Sequence, residues 1–96
     1  MKGATAMIFE GPIWLENSDK YFVLHYDGSL QLRHELANES TILIDSCNYF
    51  YDRDQLVKIC LKHIPNMTMI EFGHVQKSLD YQANALREGM PNVRLC

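Results

Sequence analysis

The chain predicts an α+β fold: an antiparallel β-meander of about five or six short strands with two helices packed on one face. Three observations predict it. Tyr26-Asp27-Gly28 separates two runs rich in β-forming apolar residues, which is a hairpin signature. Residues 52–64 and 74–88 each carry apolar side chains at helical spacing. The first half is strand-like and the second holds both helices, giving the order β-β-β-β-β-α-β-α.

Ala4–Phe9 and Ile13–Leu15 are short apolar runs interrupted by Gly11-Pro12, a pair that forbids one continuous helix. A polar cluster, Glu16 to Asp19, then marks a turn. Lys20–Tyr26 and Ser29–Glu35 form the two arms of the hairpin. A two-residue loop at Asp27-Gly28 would place Phe22 and Leu24 on the face of Gln31 and Arg33. A three-residue loop, Tyr26 to Gly28, with Gly28 left-handed, instead pairs Leu24 with Leu30 and Phe22 with Leu32. The second register produces one wholly apolar face, and a one-residue slip would destroy it, so the bulged loop is predicted. Tyr21, Val23, His25, Gln31 and Arg33 then occupy the outer face.

Thr41–Ile44 reads as a strand short enough to be buried on both sides. After the link from Ser46 to Tyr51 the period changes. Asp52 with Gln55 resembles a capping box, and Leu56, Val57, Cys60, Leu61 and Ile64 form one stripe opposite Lys58 and Lys62. Pro65-Asn66 ends that helix. Met67–Phe72 reads as a further strand. Residues 74–88 then align Val75, Leu79, Ala83 and Leu86, with Gly89 as C-cap, Pro91 beyond, and a loose tail over 92–96.

At 96 residues one domain over 1–96 is expected, with 47% hydrophobic and 22% charged residues as in ordinary globular chains. The formal charge of −3 lacks the basic excess of a protein held by phosphates, so nucleic acid is not an expected partner. Three cysteines, Cys47, Cys60 and Cys96, provide no disulfide framework and fit a reducing compartment. The N-terminal residues lack a signal-peptide h-region, and no apolar run approaches the ~20 residues that span a bilayer. A cytoplasmic location without membrane attachment is the expectation.

The constellations that could carry chemistry are weak. Cys47, Cys60, His63 and His74 contain metal-ligand atoms, but no paired C-x-x-C or H-x-x-x-H unit exists, and Cys60 falls in an apolar stripe. Cys47 with His74 or His25 and Asp45 could be arranged as a nucleophilic triple, although a chain with four histidines always offers such a choice. The five glycines are scattered, and neither G-x-G-x-x-G nor G-x-x-x-x-G-K-[ST] occurs. Asp52 and Asp54 suit a helix start without any catalytic role. The expectation is a non-enzyme with no metal and no cofactor.

Tyr49-Phe50-Tyr51 is the least routine feature, because three consecutive rings cannot all face one core in a regular element. Aromatics beside acidic residues are common in protein-binding surfaces, and a loop capping the core with rings is the alternative. The predicted partner surface combines Tyr49, Phe50 and Tyr51 with the outer hairpin face. The expected function is a small protein-binding module that occupies a surface on another protein as an inhibitor or adaptor. Phage- or plasmid-encoded blockers of host or defence machinery share this composition. A homo-oligomer completing a sheet face or edge is the alternative, motivated by Val23 and Ile59. A small enzyme using Cys47 and a histidine is the third.

Overall fold

A computed structural model describes residues 11–16 and 18–95. Four antiparallel strands, β1 (Ile13–Trp14), β2 (Lys20–Leu24), β3 (Ser29–Glu35) and β4 (Thr41–Asn48), lie side by side in chain order. Two helices follow among the described residues, α1 (Gln55–His63) and α2 (Met69–Leu95). The α+β class and the antiparallel meander are as predicted. The sheet has four strands in these residues rather than five or six, and the strand expected at Ala4–Phe9 lies outside them.

The hairpin has the predicted register. Phe22 pairs with Leu32, Leu24 with Leu30, Tyr21 with Arg33 and Val23 with Gln31. Gly28 has φ +91°, the left-handed conformation that closes a three-residue loop, and the His25 N–H donates to the Ser29 carbonyl at 2.8 Å. The next hairpin repeats the device without a glycine. Glu39 sits at φ 69°, and the Leu36 N–H donates to the Ser40 carbonyl at 2.8 Å.

Both helices pack on the apolar face of the sheet. Phe22, Leu24, Leu30 and Leu32 share one core cluster with Leu56, Ile59 and Cys60 of α1 and Val75, Leu79, Ala83 and Leu86 of α2. Burial of these side chains, each worth roughly 1.5–3 kcal/mol, is the main stabilising term.

Several local expectations are corrected. The run Thr41–Ile44 is the start of an eight-residue edge strand, and Ile42 and Leu43 are about half exposed rather than buried on both sides. An apolar run does not encode which neighbour covers it, and among the described residues β4 has one only on the β3 side. The register shifts at Leu32/Arg33, where Ile44 is the extra residue between the partners Leu43 and Asp45. Ile44 packs on the core and Asp45 meets His63 of α1.

In α1 the buried residues are Leu56, Ile59 and Cys60, whereas Val57 and Leu61 of the predicted stripe are exposed. Five apolar positions span more arc than the sheet can cover, and the true contact arc is centred between Leu56 and Ile59. The Asp52 carboxylate accepts from the Asp54 N–H (3.1 Å) and the Gln55 side-chain amide (3.0 Å), forming a turn before α1 rather than a cap on it. Asp54 holds the N-cap position with no side-chain bond.

Met67–Phe72 is not a strand. Thr68 Oγ1 accepts the Glu71 N–H at 3.0 Å, capping α2, which begins at Met69. The Glu71 carboxylate, only 9% exposed, turns away from its own helix and accepts the Glu16 N–H in the β1–β2 turn. Thr68-x-x-Glu71 is the capping-box spacing, so a helix-start signal was present in an apolar stretch read as β. Helix α2 continues through Gly89 and Pro91 to Leu95, so Gly89 is not a C-cap and 92–95 are helical rather than a loose tail. Glycine in a helix costs about 1 kcal/mol and proline removes one backbone bond, and neither penalty obliges the chain to stop.

Candidate functional site

The sheet presents its second face away from both helices. Trp14 pairs with Tyr21, Tyr21 with Arg33, and Arg33 with Leu43, a single row crossing all four strands. Alternation along each strand sets this row opposite the core residues, so it exists because the hairpin register puts Phe22 and Leu32 inside. The Trp14 and Tyr21 ring centroids are 4.5 Å apart at 38°. The Arg33 guanidinium is held by its neighbours on the sheet: Nε and Nη2 donate to Thr41 Oγ1 (3.2 and 3.0 Å), and Nη1 donates to Gln31 Oε1 (3.2 Å). Trp14 is 49% and Leu43 50% exposed, and Tyr21 and Arg33 are half-buried between them. Val23 and Gln31 form the adjacent row with Ser46.

Of the residues predicted for the outer face, the structure brings Tyr21, Val23, Gln31 and Arg33 together. His25 lies beyond the ladder at the hairpin loop and is exposed. Trp14 and Leu43 complete the row, and sequence reasoning missed both. The available signal for Trp14 was an amphipathic ring one residue before a turn, but its partner Tyr21 depends on the β1–β2 pairing.

The aromatic triplet does not join that face. Tyr49 is a core residue, 2% exposed, whose N–H donates to the Gly28 carbonyl at 2.8 Å. Its hydroxyl donates to Asp80 Oδ1 at 2.7 Å, and Arg53 grips the same carboxylate from Nε (2.8 Å) and Nη2 (2.5 Å). The Arg53 hydrogen bonds hold Asp80 below the usual carboxylate range, and burial, then Asp80, pushes the Tyr49 hydroxyl up. Phe50 is half-buried beneath the Arg87 guanidinium, 4.6 Å from the ring centre, and its carbonyl accepts from Arg87 Nη2 at 3.2 Å. Tyr51 is 89% exposed. The triplet thus divides into a core ring, a wall ring and a free ring. With Arg53, Asp80 and Arg87 it lines a cleft of about 380 Å³ in which Arg53 and Asp80 already bond each other and Arg87 bonds the Phe50 carbonyl.

The residues considered for chemistry are placed as follows. Cys47 pairs with Leu30 in the sheet, and burial, then Asp45, pushes its thiol up. Burial pushes the Cys60 thiol up to about 11. A nucleophilic cysteine needs the opposite shift. His25 and His74 are exposed, on the hairpin loop and on α2. His63 Nε2 lies 2.9 Å from Asp45 Oδ2, and this hydrogen bond lowers the Asp45 carboxyl. Among the described residues no group of three or more His, Cys, Asp or Glu side chains is placed to hold a metal ion. No described helix is long and apolar enough to cross a membrane. No family model, curated protein or solved structure matches this chain.

Proposed function

We propose that this chain is a small, non-enzymatic, cytoplasmic protein-binding module that occupies a surface on another protein, as an inhibitor or adaptor of the phage or plasmid type. The observation that carries this reading is the Trp14–Tyr21–Arg33–Leu43 row, an aromatic, guanidinium and aliphatic strip on the sheet face away from the helices. Trp, Tyr and Arg are the side chains most enriched at binding hot spots, and fixed rings and a pinned guanidinium lose little entropy on docking. Tyr21, Val23, Gln31 and Arg33 keep the role assigned from sequence, with Trp14 and Leu43 added. Tyr51 remains an exposed ring outside this row, and Tyr49 and Phe50 act through the fold.

Affinity capture from a cytosolic extract tests the reading. Trp14→Ala, Arg33→Ala and Leu43→Ala should each release a partner that the unaltered chain retains, while Tyr81→Ala, on the outer side of α2, should not. Identical capture by all four variants would remove the assignment.

A second reading is a homo-oligomer joined along β4, an eight-residue sheet edge with Ile42 and Leu43 half exposed. Of its sequence motives, Ile59 is in the core at 4% exposure and is not free to make it. Sedimentation at micromolar concentration decides, since a monomer excludes this reading.

A further inference from the structure

We propose that the cleft between the β4–α1 turn and α2 is a second binding site, which takes a single carboxylate side chain presented by another protein. Phe50, Tyr51, Arg53, Asp80, Asn84 and Arg87 line it, around a volume of about 380 Å³. Asp80, Asn84 and Arg87 stand at i, i+4 and i+7 of α2 and so share one side of the helix. Ala83, between them in sequence, is buried and too short to fill the space. Tyr51, the free ring of the triplet, adds an exposed aromatic wall.

The charges lining the cleft do not cancel. Arg53 and Arg87 stand against Asp80 alone, which leaves one positive charge over in a chain of net charge −3. Asp80 is committed elsewhere: Oδ1 accepts from the Tyr49 hydroxyl and Arg53 Nε, and Oδ2 accepts from Arg53 Nη2. Asp52 and Asp54 belong to the same turn but do not line the cleft, and the Asp52 carboxylate is held by the Asp54 N–H and the Gln55 amide. Among the described residues Arg87 has no carboxylate partner. Its Nη2 donates to the Phe50 carbonyl at 3.2 Å, and its guanidinium carbon lies 4.6 Å from the centre of the Phe50 ring. The group is thus positioned while most of its five N–H donors stay unspent. A guanidinium fixed by a ring and a carbonyl loses little freedom on binding and offers a carboxylate two parallel donors. Asp80 sets the valence of the occupant. A dianionic phosphate would be repelled by it, whereas one carboxylate balances the one charge left over. The Phe50 and Tyr51 rings give an apolar neighbour of that acid a surface to lie on.

NMR titration of the full chain with three capped peptides tests this, each with one central residue between leucines: glutamate, glutamine or phosphoserine. The glutamate peptide should shift the Arg87 side-chain N–H signal and the Tyr51 and Asn84 amides. It should bind about tenfold more tightly than the glutamine peptide, the difference a charge-assisted pair makes, and the ratio should shrink as salt rises. Arg87→Gln should remove that preference with an unchanged circular dichroism spectrum, since the side chain is exposed. Arg87→Lys should restore only part of it, because an ammonium lacks the planar fork. Asn84→Glu places a competing carboxylate in the cleft at an exposed helical position and should block the glutamate peptide while the fold is kept. Trp14→Ala should leave the titration unaltered, which separates this site from the sheet face. Equal affinity for the glutamate and glutamine peptides, no shifts at millimolar peptide, or a preference that survives Arg87→Gln or Asn84→Glu overturns the proposal. Tighter binding of the phosphoserine peptide would assign the cleft to phosphate and overturns the carboxylate as occupant.

Discussion

The Tyr49 hydroxyl and Asp80 Oδ1 are joined by a 2.7 Å hydrogen bond between the β4–α1 turn and the middle of α2. Arg53 closes on the same carboxylate, so one aspartate ties a sheet end to both helices. Tyr49→Phe should therefore destabilise the chain by about 1–2 kcal/mol, as removal of a hydrogen bond to a charged acceptor does. Tyr49→Ala should cost about 3–5 kcal/mol, the range for a large aromatic in a core. Tyr51→Ala should fall within about 0.5 kcal/mol of the unaltered chain, being 89% exposed. Urea denaturation of the three variants measures this.

Acid should unfold the protein partly through Asp80 and Asp45. Both carboxyls are held below their ordinary values by their partners, Arg53 and His63. A lowered folded-state pKa means stability that is fully present above the unfolded value. It is lost as pH falls below the ordinary carboxylate value and through the lowered folded one. Asp80→Asn should be less stable than the unaltered chain at pH 7, and the two should converge as acid protonates Asp80. Thermal melts across that range check it, and a constant gap would contradict the assignment.

The two hairpin loops should respond oppositely to substitution. Gly28→Ala places a Cβ 2.6 Å from the Phe50 ring and 2.8 Å from Asn48 Oδ1 at φ +91°, so it should destabilise by about 2 kcal/mol or more. Glu39 holds a positive φ with a side chain attached, at a strain of about 1–2 kcal/mol. Glu39→Gly should therefore stabilise by a few tenths to about 1 kcal/mol after its entropy cost. Chemical denaturation with equal m-values would compare them.

Helix α2 should be tunable at its first turns. Thr68→Ala removes the oxygen that caps the Glu71 N–H and should cost about 1 kcal/mol. Gly73→Ala meets no atom within 4 Å at an exposed helical position and should stabilise by about 0.5–1 kcal/mol. Thermal unfolding midpoints should move in opposite directions.

Four of the six residues of the candidate site were legible in the sequence. Tyr21, Val23, Gln31 and Arg33 follow from the hairpin's period of two, because whichever face holds Phe22, Leu24, Leu30 and Leu32 fixes the other. Trp14 and Leu43 depend on which strands flank the hairpin, and no local pattern states that. Tyr49 looked like a surface ring because nothing near it in sequence announces Asp80, 31 positions away.

By itself the sequence determined the hairpin register, the left-handed Gly28, the buried face of α2 over Val75, Leu79, Ala83 and Leu86, and the α+β class. Each rests on side-chain periodicity or on the steric demands of one residue, and both act over a few positions. Only the tertiary structure decided that β4 is an edge of the sheet among the described residues, and that α1 buries Ile59 while leaving Val57 and Leu61 in the open. It likewise decided that residues 69–72 are helical and that the triplet's first ring is core. Those outcomes depend on which distant surface arrives to cover an apolar side chain, and burial energy has no direction until that partner is in place.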